Sequence, residues 1–174
     1  WWRTKYPLQN GIQGQRVTDY AYDDLGNLKS TKVNGQTNEI HTMDPVRPHR
    51  LASINFVQGQ GLREYSHDGH GRQAQDSDGR QIQYTPFDLP RHISQSGEEA
   101  HFAYDAFGAR VKKTSFVNGD MITTITLGGV YERRQRVEAG GAHHVEHVFY
   151  IQGDDGPVAQ VVYDETAHKE TTAY

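Results

Sequence analysis

His143-His144-Val145-Glu146-His147 is the densest set of metal-capable side chains in this sequence. Imidazole nitrogens and a carboxylate are good zinc donors, but three or four of them must converge on one point. The helical zinc-hydrolase arrangement, His-Glu-x-x-His, achieves this by placing two imidazoles on one helix face, and it is absent. On a strand, His143 and His147 share a face with Val145, while His144 and Glu146 point the other way. Positions i and i+4 of a strand lie about 13 Å apart, too far for one ion. The segment therefore reads as a solvated or half-buried strand, and no metal ligands are assigned. Asp76-Ser77-Asp78-Gly79 and Asp154-Asp155-Gly156 look like pieces of calcium loops, but the later ligands and the closing Glu do not follow. Turn chemistry accounts for both. Gly-x-Ser-x-Gly is missing, and Gly59-Gln60-Gly61 is far from a dinucleotide fingerprint. The expectation is a protein without a catalytic site, cofactor or metal.

The elements that carry these residues are hairpins. Phe102 and Tyr104 alternate with small or polar neighbours, the period of a strand with one buried face. Asp105-Ala106-Phe107-Gly108 then turns the chain, because Asp can bond its own backbone and Gly supplies a positive φ. Arg110-Val111-Lys112 leaves as the returning strand. The unit recurs at Tyr20–Leu28, Tyr65–Arg72 and Tyr84–Pro90, and Tyr65, Tyr84 and Tyr104 are separated by steps of 19 and 20 residues. Between Tyr22 and Tyr65, Asp44-Pro45-Val46-Arg47-Pro48-His49-Arg50 reads as a degenerate turn, since two prolines exclude a central strand. Asn34-Gly35 and Asn118-Gly119 are two-residue hairpin turns, and Ser96-Gly97 turns the chain into the hairpin that starts at Phe102. Gly140-Gly141 and Gly153–Pro157 punctuate the last third, and Thr171-Thr172-Ala173-Tyr174 reads as a strand cut off before its partner. No segment keeps a 3.6-residue apolar period over ten residues or carries helix caps.

Composition agrees with a thin β structure. Leu, Ile, Val and Phe together make up only about 20% of the chain, near where a packed core becomes hard to build. Ten tyrosines, which favour strands and bury large area, argue against disorder. A net charge of −4 offers no footprint for nucleic acid, and no apolar run is long enough for a membrane-spanning helix. Zero cysteines exclude disulfides and thiolate zinc sites. Trp1-Trp2-Arg3 lacks the form of a signal peptide, and without an initiator Met the chain is expected to begin inside a longer protein.

These motifs, in this order, resemble the Rhs/YD-repeat family and in particular its Rhs-repeat-associated core. The resemblance rests on Tyr22-Asp23-x-x-Gly26-Asn27-Leu28, Arg47-Pro48-His49-Arg50-Leu51, Tyr65-x-x-Asp68-Gly69-x-Gly71 and Tyr84-Thr85-Pro86-Phe87-Asp88-Leu89-Pro90. It continues through Phe102-Ala103-Tyr104-Asp105-x-x-Gly108-x-Arg110, Gly129-x-Tyr131-Glu132-Arg133 and Tyr150-Ile151-x-Gly153-x-x-Gly156-Pro157-Val158-Ala159. It covers roughly residues 20–163. The family's later His-x-Asp-x-x-Gly-Ser and Asp-Pro-x-Gly segments, the second linked to self-cleavage, are not present, so no cleavage residues carry over.

The resemblance implies a β-ribbon wound into a hollow shell that encloses a C-terminal toxic polypeptide and helps deliver it, by way of a bacterial secretion system. The flanking β-repeats of a parent protein would be its partners. A teneurin-like adhesion module, with tyrosines beside Arg and Asn binding carbohydrate, is the alternative it implies. The expected organisation is a leading strand or the end of a preceding repeat over 1–19, YD-repeat hairpins over 20–117, and core-like strands over 118–174. Hairpins of about 20 residues are too thin to fold alone and gain a core by stacking on neighbours. A far-UV circular dichroism spectrum should be that of antiparallel β structure with little or no helix; a helix-dominated spectrum would end this reading.

Overall fold

A computed structural model describes residues 16–59 and 61–173. Trp1-Trp2, most of the leading segment expected over 1–19, and Tyr174 lie outside the described residues. The fold is all-β: fifteen strands, antiparallel wherever their pairing is described, and no helix among the described residues. The chain divides into two units, Trp1–Gly79 and Arg80–Tyr174.

The first unit holds β1 (Thr18–Tyr22), β2 (Leu28–Val33), β3 (Gln36–Met43), β4 (Leu51–Phe56), β5 (Gly61–His67) and β6 (Gln73–Asp76). The second holds β7 (Gln81–Tyr84), β8 (Pro90–Gln95), β9 (Glu98–Tyr104), β10 (Arg110–Val117) and β11 (Asp120–Leu127). It continues with β12 (Tyr131–Val137), β13 (His143–Gly153), β14 (Gly156–Asp164) and β15 (Lys169–Ala173). Within each unit every strand pairs with its neighbours in sequence, which makes each unit a meander. The strand read over 171–174 does have a partner: Thr171 lies opposite Val162 on β14. The turn between them, Asp164 to His168, was not legible as a turn. There the Asp164 carboxylate accepts from the Thr166 and Ala167 amides, and His168 holds a φ of 51°.

Among the described residues, each strand touches only the strands it pairs with. Among the described residues of each unit, taken by itself, no second layer covers the sheet, so burial is shallow. Among the described residues, Val148 is the one apolar residue that is fully buried. It lies opposite Glu132 on β12 and Val162 on β14. Leu127, Phe149 and Ile151 stay exposed. The low content of large aliphatic residues is matched by a structure with almost no core.

Two kinds of turn recur between the strands. Asn34-Gly35, Ser96-Gly97 and Asn118-Gly119 are two-residue turns with φ of 51° and 81°, 53° and 84°, and 52° and 86°. Positive φ at both positions matches the right-handed twist of the flanking strands. The wider turns at Asp23–Gly26, Asp68–Gly71, Thr85–Asp88 and Asp105–Gly108 each come with a register shift one to three residues away in the flanking strands. Such bulges increase local twist and bend the strand.

Gly26 and Gly108 both have a φ of 82°, and a Cβ would meet nothing at Gly26 and only an ordinary contact with Leu89 at Gly108. The cost of a side chain there is therefore torsional. Gly26→Ala, Gly108→Ala and Gly156→Ala should each lower stability by about 1 kcal/mol or more, read from urea midpoints. Ser96→Asn should raise it by roughly 0.5 kcal/mol, because Asn tolerates the left-handed region better than Ser. Unchanged midpoints across the three alanine variants would remove the turn assignment.

Candidate functional site

The repeated feature of the chain is a capped five-residue turn. At Asp23, the backbone amide donates to the Asn27 carbonyl and the Gly26 amide donates back to the Asp23 carbonyl, at 3.0 and 3.1 Å. The carboxylate oxygen Oδ1 then accepts from the amides of Leu25 and Asn27, at 3.0 and 2.8 Å. Asp68 repeats this with His70 and Arg72, and Asp105 with Phe107 and Ala109. Thr85 does the same with its hydroxyl, which accepts from Phe87 and Leu89, while Asp88 takes the glycine position at a φ of 63°. Glu138 to Gly141 keeps the two backbone bonds. Sequence reading placed these turns but did not show that Thr85 and Asp88 stand in for Asp and Gly. The spacing Tyr84-Thr85-x-x-Asp88, in frame with Tyr104-Asp105-x-x-Gly108, was the available signal.

Tyr22, Tyr84 and Tyr104 immediately precede their capping residues. Tyr65 does not: His67 holds that place before Asp68, and Tyr65 lies two residues earlier on the same strand face. The Tyr104 hydroxyl donates to the carbonyl of Pro90 at 2.7 Å, tying the β9–β10 hairpin to β8. Arg110 lies over the Phe102 ring, 5.9 Å from its centroid. Tyr150 accepts from Arg134 at 3.1 Å. Gly156 opens β14 at a φ of 128°, and Pro157 lies opposite Gln152. Phe87 and Phe107 stand almost free at the turn tips, 84% and 96% exposed, above a shallow cavity of about 450 Å³ lined also by Leu89 and Tyr104. The motif residues are thus spread along the turns and ladders, not gathered into one catalytic pocket.

Neighbouring turns on the same edge are joined in the first unit. The Asn27 amide nitrogen donates to Asp23 and to the Pro48 carbonyl, and its oxygen meets His49 Nδ1 at 2.9 Å. The loop from Asp44 to Arg50, expected as a degenerate turn, is closed by Asp44: its carboxylate accepts from Val46 and Arg47 amides and pairs with the Arg50 guanidinium. That pairing holds the Asp44 carboxyl down from the ordinary 3.8 to about 2. Arg72 does the same for Asp68, also to about 2.

The His143–His147 segment lies on β13 with the facing expected of a strand. His147 bridges two neighbours, with Nδ1 2.7 Å from the Tyr131 hydroxyl and Nε2 3.1 Å from the Glu165 carboxylate. His144 lies on the other face, 3.3 Å from Glu146 and 3.8 Å from Asp164. The two imidazoles serve separate cross-strand contacts. A second histidine group, which sequence reading missed, lies on β8 and β9. His92 and His101 are direct cross-strand partners with rings stacked at 4.3 Å, and both approach Glu99. The signal was the Ser96-Gly97 turn, since a two-residue turn there pairs Gln95 with Glu98 and hence His92 with His101.

Because the folded carboxyls of Asp44 and Asp68 titrate below their unfolded value, the stability they add is present above about pH 4 and is lost as pH falls toward about 2. Melting temperature should drop across that window, and the drop should be shallower in Asp44→Asn and Asp68→Asn. Thermal melts from pH 5 downward check this; an equal acid response in wild type and both variants would contradict it.

No family model matches this sequence, and no curated protein matches it. Among solved structures, the crystal structure of TcdB2-TccC3-TEV is similar at 12% identity and a TM-score of 0.46, over 91% of this chain and 12% of that one. A structure of the Photorhabdus luminescens Tc holotoxin pore with mutated TccC3 is similar with the same figures. The chain spans 12% of the length of these solved chains.

Proposed function

We propose that this chain is a wall segment of an Rhs/YD-repeat-type shell, a structural part that helps enclose and deliver a C-terminal toxin polypeptide. It carries out no catalysis in this reading. The observation that carries it is the single layer of each unit taken by itself: among the described residues, strands touch only their ladder partners, and no other element of the unit covers its sheet. Leu127, Tyr131 and Phe149 follow one another across β11, β12 and β13 on one face, with Ile151 beside them. Tyr131 and Phe149 are in ring contact at 5.2 Å, while Leu127, Phe149 and Ile151 remain open to solvent. An exposed apolar face of this kind marks a surface that another polypeptide covers. The series of repeat motifs supports flanking β-repeats and an enclosed segment as those polypeptides, and a secretion system as the route.

Adhesion through carbohydrate is the second reading, favoured by Phe87 and Phe107, whose nearly free rings over the cavity could stack on a sugar ring. The 174-residue chain expressed alone should self-associate in size-exclusion chromatography with light scattering. Leu127→Ser with Phe149→Ser should shift it toward monomer. A photo-cross-linking residue at Phe149, introduced in the native gene, should capture another part of the same polypeptide or its cargo. A protease-resistant monomer that turns over a small substrate would remove the wall reading, and retention on a glycan array, lost in Phe87→Ala and Phe107→Ala, would favour adhesion.

A further inference from the structure

The Ser96-Gly97 turn sets the register of β8 against β9, placing Gln95 opposite Glu98, Ser94 opposite Glu99 and His92 opposite His101. Residues 92, 94, 99 and 101 consequently share one face of the sheet. The two imidazoles lie nearly parallel, at 11°, with centroids 4.3 Å apart. Phe116 on β10, opposite Glu99, meets the His101 ring edge-on at 6.1 Å. Both rings turn Nε2 toward the same carboxylate oxygen, Glu99 Oε2, at 3.3 Å from His92 and 3.1 Å from His101.

We propose that His92, Glu99 and His101 bind one divalent transition-metal ion of the zinc class, clamping β8 to β9. Two imidazole nitrogens and one carboxylate oxygen are a donor set that suits zinc, nickel or copper better than calcium or magnesium. The separations fit. Donors about 2.0–2.1 Å from a tetrahedral ion lie roughly 3.3 Å from one another, close to the 3.3 and 3.1 Å that separate Glu99 from His92 and His101. One ligand atom from each of the three residues lies within 4.8 Å of the others, so a modest ring rotation closes the set. The side chains of Glu99 and His101 are about half exposed, which gives an ion a path in and leaves its remaining positions to water.

The other histidine–carboxylate contacts differ in a way that matters. His41 with Glu39, His144 with Glu146 and His147 with Glu165 each bring a single imidazole to the carboxylate. Among the described residues, His92, Glu99 and His101 are the one group whose donors gather this closely. The proposal is independent of the wall reading, since a clamp across one hairpin serves a shell or an adhesin equally.

Calorimetric titration of the full chain with Zn²⁺ alone, and separately with Ni²⁺ alone, tests it. One equivalent should bind, and His92→Gln, His101→Gln or Glu99→Gln should each weaken binding by about tenfold or more, since each removes one of three donors. His143→Gln should leave the affinity unchanged. Folding is read independently: Zn²⁺ should raise the melting temperature of wild type but not of Glu99→Gln, and should shift the imidazole resonances of His92 and His101. Absence of binding to wild type would overturn the site and leave a hydrogen-bonded trio. An affinity unchanged in His92→Gln with His101→Gln, or one lost in His143→Gln, would place the ion elsewhere and overturn it equally.

Discussion

A strand that touches only the two strands on either side of it has no core to hold it, and most of the organisation of this protein follows from that. Burial of apolar surface, the largest favourable term in ordinary domains, is among the described residues confined to cross-strand contacts and to Val148. What remains is the backbone ladder, cross-strand side-chain pairs of about 0.2–1 kcal/mol each, and turns that cost little entropy because they are short. Long side chains do part of the covering. Arg134 pairs with Glu132 on its own strand and reaches Tyr150 on the next, drawing aliphatic stems over the face that Val148 shares.

The turns carry correspondingly more of the specification. Four of them close the same pair of backbone hydrogen bonds and cap two further amides with one side-chain oxygen, whether that oxygen belongs to Asp23, Asp68, Asp105 or Thr85. What is preserved is therefore the backbone path and the acceptor, not the aspartate. The glycine at the fourth position is likewise a requirement for positive φ, which Asp88 meets at 63°. Each such turn has a bulge close by, so twist enters at one edge of the sheet while the two-residue turns hold register at the other.

A single layer has two faces to dispose of, and the chain treats them through the same ladders. In the second unit, one face carries rows of rings: His92, His101 and Phe116, then Phe149, Tyr131, His147 and Tyr163. Stacked and tilted rings tie adjacent strands together without needing full burial. Imidazoles add hydrogen bonds to carboxylates and to the Tyr131 hydroxyl. Surfaces so built tolerate water and still leave apolar area open.

Strand positions and turn sites were largely legible from the residues alone because their causes are local. Asn34-Gly35 and Asp105–Gly108 dictate their own φ values and hydrogen bonds within a few residues, whatever surrounds them. Where local chemistry was disguised, reading stopped short: Thr85 and Asp88 performed the same roles under other names, and Asp164 to His168 closed a turn without a glycine. Tyr65 kept the period yet sat out of frame, since spacing alone does not say which residue precedes the cap. Tertiary structure alone decided that, among the described residues of each unit, no second layer covers the sheet, because that depends on which elements the chain does not bring together. It also decided that His92 and His101 turn onto one oxygen of Glu99 while His143 and His147 do not converge. Register across two strands sets the first pair face to face, whereas four residues along a single strand hold the second pair too far apart to share a ligand.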